Sequence, residues 1–287
     1  MKQIKYFFQF ILINLFFLIF KIIGYKKASN LGAVIGSVFG PIIKSKKIIK
    51  ENIRNYSPNI DDRSMNIIIK KMWKNYGRIF AEYIFLKDFR LKILDKHLKI
   101  NGIENLQEIK KNNKPVIFIS GHFNNFELMA MQIEKVGVNL AAVYRPLNNF
   151  LLNKKMEKIR KNFICKNQVK KGIAGVREIL NFFKNGVSIA MMIDQRVTEG
   201  IKCNLFNKSA YTTTIPAQLI KKFHCPVVTV YIERKNEINF EITVDKPFYF
   251  NENESLESIT LNLNNWLEKM ISKNPDQWIW SHNRWKL

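Results

Sequence analysis

The sequence predicts an α/β fold: a mixed, largely parallel central sheet flanked by helices, preceded by an N-terminal membrane-anchor helix. Three observations predict it. From about residue 97, short apolar runs alternate with helical patterns of about 10 to 15 residues, the rhythm of a largely parallel sheet. Residues 6 to 24 form an apolar run interrupted by Lys21. The 287 residues, 47% of them hydrophobic, can bury one large core.

Each element follows from its own pattern. YFFQFILINLFFLIF (6–20), extended by Ile22, Ile23 and Gly24, makes an apolar run of about 19 residues interrupted by Lys21, near the lower limit for crossing a bilayer. Lys2 and Lys5 precede it, and Lys21, Lys26 and Lys27 follow. No small-residue cleavage site follows, so an uncleaved helix is expected. It either spans the membrane or lies in the interface with its lysines reaching the headgroups. The anchor is assigned to 1–27 and a single domain to 28–287, helical over 28–96 and α/β over 97–287. Residues 28–56 read as helix, with a small-residue patch LGAVIGSVFG and an expected break at Pro41. Residues 62–87 repeat apolar residues at helical spacing, which implies an amphipathic helix facing the core. HLKINGIENL holds a short strand and a turn. PVIFIS (115–120), NLAAVY (139–144), GVSIAMMID (186–194), PVVTVYIER (226–234) and INFEITVDK (238–246) read as strands. Helices are expected at ELMAMQIEKVG, NFLLNKKMEKIRKNF, GVREILNFFKNG, TIPAQLIKKFH and SLESITLNLNNWLEKMISKNP, before an aromatic tail, DQWIWSHNRWKL.

The formal net charge of +24 favours acidic partners, although a bias towards lysine, asparagine and isoleucine accounts for much of the lysine excess. The arginines are few, only ten, and so more informative. The basic character places the bulk of the chain on the cytoplasmic side of a membrane. Cys165, Cys203 and Cys225 are too few and scattered for a disulfide framework or zinc site and fit a reducing compartment. No metal-ligand spacing and no phosphate-binding glycine loop is present, so neither metal nor cofactor is expected.

In such a sheet, sites form at the carboxyl ends of strands. His122, Arg145 and Asp194 each follow such an end. His122 and Glu127, brought together by a strand–loop–helix turn, form a candidate catalytic pair. A carboxylate on one imidazole nitrogen fixes the tautomer, and the other nitrogen then deprotonates a hydroxyl that attacks a thioester or ester carbonyl. There is no G-x-S-x-G nucleophile, which favours direct attack by the substrate. The competing reading of Asn124 and Glu127 is a capping box. Asn124 also belongs to the candidate binding set. Arg145, held by Tyr144 and Pro146, suits a phosphate or a carrier's phosphopantetheine arm. Asp194, Gln195 and Arg196 share one strand mouth. Asp194 positions His122, binds a sugar hydroxyl, or pairs with Arg145 or Arg196, and the sequence leaves these three open. Thr212, Thr213 and Thr214 read as helix caps before Pro216.

The succession G-H-x-x-x-x-E, Y-R-P, D-Q-R, F-N-K-S-A-Y-T-T-T, PVVTVYIER and P-D-Q-W-I-W-S-H-N-R-W-K resembles the late acyltransferases of lipid A biosynthesis, the lauroyl and myristoyl transferases of Gram-negative bacteria. The resemblance runs over nearly the whole chain. It implies a glycerolipid-acyltransferase-like fold in the bacterial inner membrane, with the catalytic domain on the cytoplasmic side. It also implies transfer of an acyl chain from acyl carrier protein to a hydroxyl of a lipid A precursor. His122 and Glu127 then stand at the family's histidine–carboxylate dyad, Arg145 and Asp194 around the same site. Arg177, Trp278, His282 and Arg284 match its pattern too. The chain departs from the family at Asn207, where glycine is usual, which puts the shape of that loop in question. The alternatives are an acyltransferase acting on lysophosphatidate, glycerol phosphate or a glycosylated phospholipid, and a basic RNA- or membrane-binding protein without chemistry. The acyltransferase reading expects no nucleic-acid partner.

Overall fold

The computed structural model describes residues 2–286; Met1, the Lys2 side chain and Leu287, which close the two expected termini, lie outside the described residues. Helix α1 (Lys2–Ile23) turns at Gly24 into α2 (Tyr25–Ile43), which is followed by α3 (Lys46–Tyr56) and α4 (Asp62–Glu82). Pro41 does not end α2. The chain leaves the helix at Lys44, which is extended, and Ser45 then caps α3 by accepting from the Ile48 amide. Pro41 lies in the last turn, where few further helical hydrogen bonds are at stake. After a short helix α5 (Leu86–Arg90) come β1 (Leu98–Asn101), α6 (Ile103–Asn112), β2 (Ile117–Ser120), α7 (Glu127–Val136), β3 (Leu140–Tyr144) and α8 (Phe150–Ile159). A π-helical turn, Arg160–Ile164, extends α8. Then follow β4 (Asn167–Lys170), α9 (Ile173–Lys184), β5 (Ser188–Met192), β6 (Ile201–Leu205), β7 (Lys208–Thr212), α10 (Ile215–Phe223), β8 (Val227–Lys235), β9 (Asn239–Val244) and α11 (Leu256–Lys273).

The main sheet has seven strands in the order β1-β9-β8-β2-β5-β3-β4. All its neighbours are parallel except the β8–β9 hairpin, so it is mixed and largely parallel. Strand β2 lies inside the sheet, and its alternating side chains feed both layers of the core. Ile117 and Ile119 join Ile179, Phe183, Leu219 and Ile259 on one face, and Phe118 joins Leu106, Leu128 and Met131 on the other. Each such side chain, buried in full, contributes roughly 1.5–3 kcal/mol.

Strand β4 and the β6–β7 hairpin did not stand out as strands in the sequence. β4 is a polar edge strand, NQVK, whose one buried side chain is Val169. The hairpin is joined by Phe206 and Asn207, with φ of 53° and 57°. Two successive left-handed residues make a two-residue turn that follows strand twist, and asparagine adopts that conformation readily. Asn207 therefore does the work of the glycine expected there.

The small-residue patch of α2 has a packing purpose. Gly32 and Gly36 let α2 lie against Gly77 of α4. A Cβ on Gly77 would come 1.8 Å from the Gly32 carbonyl oxygen, and the obstacle is backbone. Gly77→Ala is expected to push the two helices apart and cost about 1–3 kcal/mol, as overpacking does. Thermal unfolding of the full chain in detergent checks this, and an unchanged midpoint would refute it. The contact matters for function because α4 carries Tyr76, Ile79 and Phe80, which line the cavity described next.

Candidate active site

The site begins where β2 ends. The Ser120 hydroxyl donates to the Val230 carbonyl at 2.6 Å and fixes the strand end against β8. Gly121 passes close to Phe123 and Leu267, where a Cβ would crowd both side chains. His122 then emerges partly exposed, its ring edge-on to Phe126 at 4.8 Å between centroids.

Its carboxylate partner is Asp194. His122 Nδ1 lies 2.7 Å from Asp194 Oδ1, and the His122 amide donates to Oδ2 at 2.7 Å. The register explains the pairing. β2 and β5 are parallel neighbours with Ser120 opposite Met192, and both site residues lie two positions further on. Trp278 Nε1 donates to Oδ2 at 2.9 Å. Asp194 is fully buried. Burial opposes its charge, but the His122 charge, the His122 hydrogen bonds and Trp278 outweigh it and hold its pKa down at about 2. A carboxylate only accepts, so Nδ1 carries the proton and Nε2 keeps its lone pair. Burial also opposes a charge on His122, yet the Asp194 field and hydrogen bond, with a contribution from Glu127, raise its pKa above the ordinary histidine value.

Glu127 was expected to hold the imidazole. Its hydrogen bonds come instead from Arg160, whose Nε and one terminal nitrogen reach Oε1 at 2.8 and 2.6 Å. Glu127 acts on His122 through its field. The geometry is the reason. Glu127 opens α7 and faces the π-helical turn that carries Arg160. A capping box is not what forms either. Asn124, with φ of 43°, donates to Gln277 Oε1 at 2.5 Å and to the Ile232 carbonyl at 3.3 Å, and α7 has no side-chain cap. Asn124 holds the loop to the C-terminal segment. Of the threonines, Thr213 accepts from the Ile215 amide, whereas Thr212 accepts from Arg284 and Asn264.

The other expected site residues separate into groups. Gln195 lies beside His122, its Nε2 3.4 Å from the imidazole Nε2. Arg196 is tied to the tail: its Nε donates to the Lys286 carbonyl at 2.6 Å, and its amide donates to His282 Nε2 at 3.0 Å. Burial keeps His282 neutral as that acceptor, with its pKa pushed down to about 4. Arg145, after β3, is exposed. β5 stands between β2 and β3, so His122, Asp194 and Arg145 follow three adjacent strands. Arg177 is exposed on α9, and Arg284 is fully buried, donating to the Tyr211 carbonyl at 2.7 Å. Arg160 was missed because its segment reads as an ordinary helix; its rarity as one of ten arginines was the available signal.

An apolar cavity of about 500 Å³ opens against His122, lined among others by Ile13 and Phe17 of α1, Tyr76 and Phe80 of α4, and Leu152 and Met156 of α8. The first helix is thus a wall of the site. It is also long and apolar enough over Gln3–Ile23 to cross a membrane. Phe7, Phe8, Leu12, Leu15, Leu18 and Ile22 are exposed on it. An imidazole whose Nε2 is unprotonated, backed by a buried carboxylate and facing an apolar cavity, can deprotonate a hydroxyl next to a bound alkyl chain.

A family model for bacterial lipid A biosynthesis acyltransferases matches residues 1–287. The lipid A biosynthesis palmitoleoyltransferase of Escherichia coli (strain K12) is 24% identical over 269 residues, covering 89% of this chain and 84% of that protein. The lipid A biosynthesis acyltransferase 2 of Shigella flexneri is 21% identical over 249 residues, covering 83% of this chain and 76% of its own. Among solved structures, the 1-acyl-sn-glycerophosphate acyltransferase PlsC of Thermotoga maritima aligns with a TM-score of 0.42 at 14% identity, covering 89% of this chain and all of that one. With the family matched from the first residue to the last, this chain belongs to the bacterial lipid A biosynthesis acyltransferases and acts in acyl transfer.

Proposed function

We propose that this protein transfers a fatty acyl chain from acyl carrier protein to a hydroxyl of a lipid A precursor, with His122 as general base. The observation that carries the reading is the His122–Asp194 pair at 2.7 Å, set against an apolar cavity. His122 Nε2 takes the proton of the acceptor hydroxyl. The oxygen attacks the thioester carbonyl, the carbon–sulfur bond breaks, and the departing thiolate recovers the proton from His122. Asp194 holds the tautomer and supports the imidazolium. The Phe123 and Asn124 amides already donate to the Gly121 and Gln277 carbonyls, so the backbone donors for the oxyanion fall to Asn125 and Phe126 at the start of α7. Glu127 anchors Arg160 beside this turn and adds its field to His122. Exposed Arg145 meets phosphate on the carrier arm or the acceptor. The first helix holds the protein to the inner membrane, and its basic surface faces the acidic carrier on the cytoplasmic side.

The test is a membrane-fraction assay. Lauroyl and myristoyl acyl carrier protein are supplied with a sugar-bearing, tetra-acylated lipid A precursor, and products are weighed by mass spectrometry. A gain of one acyl chain that disappears in His122→Ala supports donor, acceptor and base together. Acylation of lysophosphatidate in preference to the lipid A precursor would move the acceptor, and loss of carrier dependence would remove the donor.

A further inference from the structure

Beyond Lys5, the apolar sequence of α1 is interrupted by Gln9, Asn14 and Lys21, and each docks the helix onto the domain. Gln9 Oε1 accepts from Asn149 Nδ2 at 3.3 Å, Asn14 Oδ1 accepts from Lys155, and Lys21 pairs with Asp88 at 2.8 Å. Asn14 and Lys21 are seven apart, about two helical turns, and so share one face. Phe17 lies between them on that side. It is 4% exposed, its ring 5.4 Å from Phe80, with the Lys155 ammonium 5.2 Å from its centre. The polar contacts therefore set the rotation of α1 that turns Phe17 inwards.

Phe17 borders two cavities. One is the cavity of about 500 Å³ against His122. The other, about 410 Å³, is lined by Leu18, Ile84, Ile159 and Phe163 together with Lys21 and Lys87. Tyr83 is the other residue that lines both. Tyr83 belongs to the main core. Phe17 is thus the part of the partition carried by the N-terminal helix.

We propose that Phe17 sets the length of acyl chain the enzyme accepts: its ring closes the distal end of the chain cavity, and without it the chain runs on into the second cavity. The inference rests on the reading that the cavity beside His122 holds the acyl chain. It gives α1 a part in substrate selection as well as in attachment.

The experiment uses the full chain in detergent, with Phe17→Ala and Phe17→Trp beside wild type. Acyl carrier protein thioesters from ten to eighteen carbons, lengths on the order of a bilayer leaflet, are compared by kcat/KM. In parallel, free fatty acids of the same lengths compete with a fluorescent fatty acid for binding. Phe17→Ala is expected to move the optimum to longer chains, changing the long-to-short ratio by about 10–200-fold for each methylene newly accommodated, and Phe17→Trp to move it to shorter ones. Variants that lose rate or affinity equally for all lengths would overturn the proposal. If wild type takes no acyl chain from any carrier thioester, the donor reading fails by itself. The binding series then decides on Phe17, an unchanged length ranking overturning its role and a shifted one supporting it.

Discussion

Changing His122 to alanine is expected to lower acyl transfer by about 10²–10⁴-fold while leaving membrane attachment intact, because proton removal by a positioned base is worth that much. Asp194→Asn should produce a comparable loss, since an amide in place of the carboxylate neither fixes the Nδ1–H tautomer nor stabilises the imidazolium. The two act on one step, so the double variant should be far less than additive. Glu127→Gln differs, because Glu127 bonds to Arg160 and touches His122 only through its field. Combined with Asp194→Asn, its effect should be closer to additive. Full additivity of His122→Ala with Asp194→Asn would separate the two and return the orienting role to Glu127.

The pH profile has a definite sign. As a base, His122 must be neutral, and Asp194 raises its pKa against the opposing effect of burial. The acid limb of kcat/KM should therefore lie above the ordinary histidine range, with activity falling as pH drops through it. In Asp194→Asn the raising charge is gone while burial remains. The limb should then move to lower pH, even as the maximal rate falls. A limb that stays in place would mean that another group controls it.

The second large effect concerns stability. Glu82, the last residue of α4, is fully buried and binds Arg234 of β8 at 2.6 and 3.0 Å. Ser29 of α2 donates to it at 2.8 Å, and Asn125 of the site loop at 3.3 Å. Glu82→Leu leaves the Arg234 guanidinium buried without its counter-charge, which should cost about 3–5 kcal/mol. Pairing that change with Arg234→Met should recover much of the loss, since an apolar pair of similar volume avoids the desolvation cost. By contrast, the exposed pair Lys47–Glu51, at 4.0 Å, should be worth no more than about 0.5 kcal/mol. Thermal unfolding reads Glu82→Leu, its combination with Arg234→Met, and Lys47→Ala. Because Asn125 ties Glu82 to the loop after His122, Glu82→Leu should also reduce turnover. An unchanged unfolding midpoint would show that the network contributes nothing net.

The sequence by itself determined the strands of the sheet interior and the helices between them. Short unbroken runs of Val, Ile and Phe, as expected of strands buried on both faces, and apolar residues at period 3.6 are local signals that packing did not override. It also determined that His122, Arg145 and Asp194 follow strand ends, and that the first helix is apolar. The edge strand β4 and the β6–β7 hairpin escaped because their pairing, more than their composition, makes them strands. The tertiary structure alone decided which carboxylate meets the imidazole. Glu127 is five residues from His122 and Asp194 is seventy-two away, yet the distant residue makes the bond. The reason is strand order: β5 inserts beside β2 in register, and no periodicity along the chain encodes which strand is a neighbour. Likewise, Gln9, Asn14 and Lys21 look like flaws in a membrane helix until Asn149, Lys155 and Asp88 are folded against them. Their polarity serves a docking face, and that face exists only once the chain has closed on itself.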